Sequence, residues 1–218
     1  GIPRSKKDDQ RTKDLNLAIL RNTLESFKEP KSFTFMSSVE IYGIKHSEVI
    51  NEETSFNPHN YYSEGKIIAE EMIHSFYKGS SDTCINILRL PGVYSKDSSL
   101  GLMGAIRNSI NKNQTFILNN NGQDQRDFLY LPDLSTVTYE LIHLGKNQTL
   151  NIATGFSTTT KNMCDLIYEH NRRFSFKLNE NIESVSNLHF DIRKLKESLP
   201  NISPRTIQEG LKDLNYYL

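Results

Sequence analysis

The chain has 218 residues, 36% of them hydrophobic and 24% charged, with a net charge of zero. That length allows one sizeable core, or a main domain with a small lobe. The charge balance gives no global electrostatic case for binding nucleic acid or an anionic membrane, and no apolar run approaches the ~20 residues that a spanning helix needs.

In chain order, Lys13 to Glu29 carries Leu17, Leu20, Leu24 and Phe27 at helical spacing and predicts a helix. The aromatic stretch SFTFMSS after it reads as a buried strand. A polar segment with Gly, Asn and Pro punctuation leads to YYSEGKIIAEEMIHSFYKG, a second helix ended by Gly79, with apolar positions at Ile67, Ile68, Met72, Ile73 and Phe76. TCINILRLPGVY is a largely apolar run, as expected of a central parallel strand. Helix, strand, helix, strand is a βαβ pattern without its first strand.

From Ser95 the texture changes. SSLGLMGAIRNSINKNQTFIL predicts a helix and a short strand. NNNGQDQRDFLYLPDL predicts a turn, an extended piece and the start of a helix that continues through STVTYELIHLG. A strand (QTLNIATG), a helix (TTKNMCDLIYEHN), a short strand (FKLNENIES) and two terminal helices (DIRKLKESLP and TIQEGLKDLNYYL) complete the order.

Cys84 and Cys164 lie in apolar stretches with no metal-spaced partner, so both read as buried thiols in a reducing compartment. The opening residues have no signal-peptide pattern, which with the thiols gives a cytoplasmic expectation. The Asn-x-Ser/Thr triplets at Asn113, Asn147 and Asn201 are attributed to chance in an Asn-rich chain.

The chemistry concentrates in two short stretches, FMSSVEIYG and YYSEGK. Serine, tyrosine and lysine can form a proton-transfer set for oxidising an alcohol or reducing a ketone. A phenol titrates near ~10, and a neighbouring ammonium lowers that value toward the working range of a general acid–base catalyst. Tyr62 and Lys66 are i and i+4, hence on one helix face. A Ser at a strand end can bond and orient the substrate oxygen.

At these residues the sequence resembles the extended short-chain dehydrogenase/reductases, the NAD-dependent epimerase/dehydratase family of nucleotide sugars. NLAILRNTLES is similar to the family's Asn-led helix, with Asn16 at the Asn position. FMSSVEIYG resembles its Ser-Ser strand end and puts the catalytic Ser at Ser38. NPHNYYSEGKIIAEE resembles the Pro-x-x-x-Tyr-x-x-x-Lys segment and selects Tyr62 over Tyr61. ILRLPGVYS, GQDQRDFLYLPDL, LNIATG and the two closing helices follow in the family's order.

The resemblance implies an α/β fold: a Rossmann-like parallel sheet, of which this chain holds the carboxyl-terminal part, with a small α+β substrate-binding lobe. Residues 1–95 would be the remaining part of the dinucleotide-binding domain. Residues 96–218 would be mainly the lobe, with segments near 126–155 returning to the first domain. It also implies an NAD- or NADP-dependent enzyme acting on a nucleotide sugar. Tyr62 would be the acid/base, Lys66 would lower its pKa and bind ribose, and Ser38 would polarise the sugar oxygen. Pro91 and Val93 would lie at the nicotinamide, and Arg126 would grip the substrate diphosphate. Glu40 would be a further catalytic carboxylate, or a carboxylate near the sugar with no proton role. Epimerase is the first reading; reductase, decarboxylase and 4,6-dehydratase follow. A homodimer through a four-helix bundle, built from segments 16–29 and 62–78 with Ile73 and Phe76 needing cover, is expected. No nucleic-acid, membrane or metal partner is.

The sequence also departs from the family pattern. It has no Gly-x-x-Gly-x-x-Gly turn, so the resemblance implies an amino-terminal part outside these residues, about four strands and three helices. A truncated, non-catalytic binding module is the rival expectation. Gly65 replaces the usual Ser, Pro91-Gly92 stands where Asn is frequent, Ser95 replaces a Gly, and Val39 stands where dehydratases carry Asp. Arg89 reads as a structural ion-pair partner and Tyr42 as part of the site wall. His46, His59 and His143 read as packed or solvated, Asn119 to Asn121 as a turn without a role, and the Lys6, Lys7, Asp8, Asp9 run as a solvated loop.

Overall fold

A computed structural model describes residues 9–80 and 82–214. The first helix, α1 (Gln10–Ser26), begins where the Asp9 side chain accepts a hydrogen bond from the Thr12 amide. Asp9 is thus a cap; Lys6, Lys7 and Asp8 of the same charge run lie outside the described residues. Leu20 and Leu24 are buried, but the helix ends before Phe27, whose backbone leaves helical geometry and whose ring is exposed. The periodicity placed Phe27 in the apolar stripe; it belongs to the exit turn, where its carbonyl accepts from the Tyr77 hydroxyl.

Strand β1 (Ser32–Ser38) runs parallel to β2 (Cys84–Leu90), and β2 runs parallel to β7 (Gln148–Asn151). The sheet order is β1-β2-β7, so β2 is central as its apolar composition predicts. Among the described residues β1 is an edge strand, and Met36 is exposed, so the expected buried strand is only partly covered.

Side chains alternate across the strands. One face of β1 and β2 packs on α1 and on α2 (Tyr61–Phe76) through Leu20, Leu24, Ala69, Ile73, Tyr77, Ile85 and Ile87. The other face, with Leu88 and Leu150, packs on α4 (Leu131–Leu144) and α6 (Arg193–Ser198) through Leu134, Val137, Leu141 and Leu195. Ile73 is fully buried within this chain and needs no cover from a partner, contrary to the expectation; Phe76 is exposed.

The run TCINILRLPGVY is not one strand. It breaks at Pro91, which has no amide hydrogen to give a ladder, into β2 and β3 (Gly92–Tyr94). β3 leaves the main sheet to pair with β6 (Phe128–Tyr130). A separate apolar cluster forms around Tyr94, Ile106, Phe128, Cys164, Phe174 and Leu211. It joins α3 (Gly101–Asn111), α5 (Thr160–His170) and α7 (Ile207–Asp213). Two small sheets complete this half. β4 (Phe116–Leu118) pairs with β9 (Phe176–Leu178), and β5 (Gln125–Arg126) pairs antiparallel with β8 (Thr158–Thr159), a pair too short for alternation to reveal. Both cysteines are free thiols; Cys164 is buried as expected, whereas Cys84, at the start of β2, is only partly so.

Candidate active site

The carboxyl end of β1 carries the site. Ser38 ends the strand and caps the short 3-10 turn Val39–Tyr42, its hydroxyl accepting from the Glu40 amide at 3.2 Å. The turn closes at Gly43, where φ is +87° and a Cβ would stand 2.8 Å from the Asn57 carbonyl, so only glycine lets the chain leave in this direction. Segment 43–60 then stays on the apolar cluster that holds Val39 and Tyr42, where Ile50 exchanges backbone hydrogen bonds with His189 and Asp191.

It returns at Asn60, which caps α2 with a reciprocal Asn60–Ser63 capping box. The Asn60 side chain also donates to Glu40 at 3.2 Å. The first turn of α2 is therefore tied to the end of β1, which places Tyr62 against Ser38, the two hydroxyls hydrogen-bonded. Lys66, one turn further on, lies over the rings of Phe35 (4.5 Å) and Tyr62 (5.7 Å) and donates to the Met36 carbonyl at 2.5 Å. Ser38, Tyr62, Lys66 and Glu40 thus converge.

Their electrostatics differ from the expectation. Burial raises the Tyr62 pKa, the charge of Glu40 adds to the rise, and the Ser38 hydrogen bond only opposes it. Burial lowers the Lys66 pKa, against the pull of Glu70. The lysine does not bring the phenol down here, because its ammonium is turned to a backbone carbonyl and the phenol has lost its water. The shift keeps the Tyr62 phenol protonated near neutral pH.

Behind these residues lies a buried polar network that the sequence reading missed. Arg89 of β2 grips Glu70 of α2, with Nη2 to Oε2 at 2.8 Å, and Ser37 donates to the same carboxylate. Arg89 also donates to the Tyr42 hydroxyl at 2.8 Å and the Glu52 carbonyl at 3.0 Å, and Tyr42 donates to Asn151 at 2.8 Å. Arg89 is thus the structural ion-pair partner expected of it, and Tyr42 is a buried member of the network. The signal was present: Glu70 shares its helix face with the apolar Ile73, three residues on, and a carboxylate there needs a partner.

Pro91 and Val93 lie half-buried at the carboxyl end of β2 and in β3. Arg126 is elsewhere: it stands on β5, its guanidinium about half exposed and 3.9 Å from Asp124. Gly65 faces α1, a Cβ there meeting Lys13 Cγ at 3.0 Å, so it marks a close helix contact. Asn120 has a structural role, bonding Asp124 and the Ser184 carbonyl, and His46 bonds the Tyr42 carbonyl. Among the described residues no cluster of His, Cys, Asp or Glu could hold a metal, and no helix is long and apolar enough to cross a membrane.

The profile of the NAD dependent epimerase/dehydratase family matches residues 1–153. A putative UDP-glucose 4-epimerase of Methanocaldococcus jannaschii is 27% identical over 208 residues, 91% of this chain and 67% of that protein. A dTDP-D-glucose 4,6-dehydratase of Dictyostelium discoideum is 26% identical over 63% of this chain, which spans about a third (34%) of its length. Among solved structures, that of the NAD dependent NDP-hexosamine 5,6-dehydratase TunA, involved in tunicamycin biosynthesis, superposes on the whole chain with a TM-score of 0.83, at 18% identity and 73% coverage of that protein. The fold is therefore Rossmann-like α/β.

Proposed function

The chain belongs to the NAD dependent epimerase/dehydratase family, and from that premise we propose hydride exchange between a nicotinamide cofactor and a nucleotide-activated sugar, with epimerisation as the net reaction. The observation that carries this reading is the convergence of Ser38, Tyr62 and Lys66 at the carboxyl end of β1. The epimerase likeness spanning most of the chain supports the choice of net reaction.

The residues present fit NAD or NADP. Lys66 has ammonium hydrogens beyond the one given to Met36, the phenol of Tyr62 stands beside it, and Pro91 and Val93 add half-buried apolar surface. Lys66 and Tyr62 would hold ribose hydroxyls, and Pro91 and Val93 the nicotinamide. The chemistry such a cofactor supplies when bound is acceptance and return of a hydride. The chain's own part is proton transfer and orientation. Ser38 bonds the sugar oxygen and Tyr62 takes or gives its proton. Lys66 supplies positive charge beside the phenol when that proton has left. Arg126 is assigned to the substrate diphosphate, since a forked guanidinium fits two phosphate oxygens.

The reading includes residues 1–95 as part of the cofactor domain and 96–218 mainly as a substrate lobe, with segments near 126–155 returning to the first. It also includes a cytoplasmic homodimer, for which the exposed Leu15 and Ile19 of α1 and Tyr61 and Phe76 of α2 offer an apolar surface. A dehydratase is the second reading, favoured by Glu40, whose charge reaches Tyr62; Val39 counts against the 4,6 type.

The test is incubation of the full-length gene product with NAD and a panel of nucleotide sugars, with products identified by NMR. Inversion of one sugar carbon is expected and loss of water would select the second reading. Equal turnover by wild type and Tyr62→Phe would refute the assignment.

A further inference from the structure

We propose that Glu70 is the positioning residue of the Ser38–Tyr62–Lys66 set: clamped by Arg89, its carboxylate fixes the end of β1 through Ser37 and places a negative charge one helical turn from Lys66. The proposal rests on the functional reading above, because that reading needs a charge on Lys66.

Three observations carry it. Glu70 stands one turn after Lys66 on α2, so the two side chains occupy the same face. Its carboxylate is itself immobilised: Arg89 reaches it through Nε (3.2 and 3.3 Å) and Nη2 (2.8 Å), and Arg89 is in turn held by the Tyr42 hydroxyl and the Glu52 carbonyl. Finally, α2 grips β1 twice in succession, by Lys66 on the Met36 carbonyl and by Glu70 on the Ser37 hydroxyl. Ser37 and Ser38 are adjacent and point to opposite faces of the strand, so a carboxylate that anchors Ser37 also restrains Ser38.

Burial lowers the Lys66 pKa, and the charge of Glu70 opposes that shift. Other charged groups around the first turns of α2 have partners of their own. Lys13 of α1 is paired with Glu64, while Glu40 accepts from Asn60 and acts on Tyr62. Tyr42 and Arg89 belong to the network, and Ser32–Ser38 has no titratable side chain. Glu52, on segment 43–60, accepts from the Asn151 amide.

The test reads Lys66 directly in the full chain, without cofactor or substrate. Isotope-labelled lysine, with Lys66→Arg to assign the resonance, gives its titration midpoint in wild type and in Glu70→Gln. Loss of the neighbouring anion should lower the midpoint by about one pH unit or more, a tenfold weaker hold on the proton. Because Glu70→Gln leaves Arg89 buried without a counter-charge, Glu70→Leu/Arg89→Met, which removes the pair together, is read in parallel. A shift of the same sign in a folded variant supports the proposal. A native midpoint in every variant that folds overturns it. A shifted midpoint in a protein inactive on every nucleotide sugar keeps the electrostatic inference and removes the functional reading. A native midpoint alongside activity does the reverse.

Discussion

Glu70 and Arg89 form a bidentate ion pair inside the protein, Oε2 to Nη2 at 2.8 Å, with side chains 5% and 6% exposed. It links the helix of Tyr62 and Lys66 to the central strand. Removing one partner strands a buried charge, so Arg89→Met alone should cost about 3–5 kcal/mol. The double replacement Glu70→Leu/Arg89→Met should recover most of that loss. Urea unfolding of the three proteins decides it; equal losses in single and double variants would show that the network's other bonds, not the pair, hold the region.

Tyr62→Phe should lower hydride exchange by about two to four orders of magnitude, the range for a positioned proton donor. Stability should fall by no more than about 1 kcal/mol, since one hydrogen bond to Ser38 is lost. The rate and the melting temperature are to be measured on the same preparation, and a loss of both in proportion would reduce the effect to misfolding.

Arg126→Ala should weaken binding of a nucleotide sugar by about one to two orders of magnitude, from the roughly 1.5–3 kcal/mol of a charge-assisted hydrogen bond. Binding of the free nicotinamide cofactor should not change, and Arg126→Lys should recover only part. Calorimetric titration of both ligands checks this; an unchanged affinity for the sugar nucleotide would make Arg126 a bystander.

Asp127 is 1% exposed and accepts from the amides of Thr154 and Gly155 and the Thr154 hydroxyl. Burial outweighs these bonds and pushes its pKa up from 3.8 to about 6. A raised carboxyl binds its proton more tightly when folded, so the stabilisation is full below about pH 4 and is lost as pH rises through about 6. The change amounts to about 3 kcal/mol, at about 1.4 kcal/mol per unit. Asp127→Asn, with no proton to lose, should lack this component. Unfolding free energies of both proteins between pH 4 and 7 give the comparison, and parallel curves would contradict it.

Gly210 of α7 leaves no room for a side chain: a Cβ there would lie 1.9 Å from the Tyr94 hydroxyl. Gly210→Ala should cost about 1–3 kcal/mol through overpacking. The Tyr94 hydroxyl is buried and has no hydrogen-bond partner among the described residues, so Tyr94→Phe should be neutral or stabilising and should relieve part of the clash in the double variant. Thermal unfolding of the four proteins closes the cycle, and strict additivity would argue against contact.

Local pattern determined much of this protein. The apolar spacing of Leu20 and Leu24, the β-rich SFTFMSS and the turn-then-strand order after Asn119 each act over a few residues, so helices, strands and their sequence were readable. So was the face shared by Tyr62 and Lys66, which follows from helical spacing alone. Tertiary structure decided the rest. That Phe27 faces water, that the segment after Pro91 pairs with β6 in a second sheet, and that Ile73 is covered within the chain depend on neighbours distant in sequence. The Tyr62 phenol is raised and not lowered because burial and Glu40 act on it while the Lys66 ammonium turns to Met36. Glu70, Arg89, Tyr42 and Asn151 come from two strands, a turn and a helix. A buried charge gains its partner only when those elements pack, and the removal of water that makes the pair strong is a property of the assembled core.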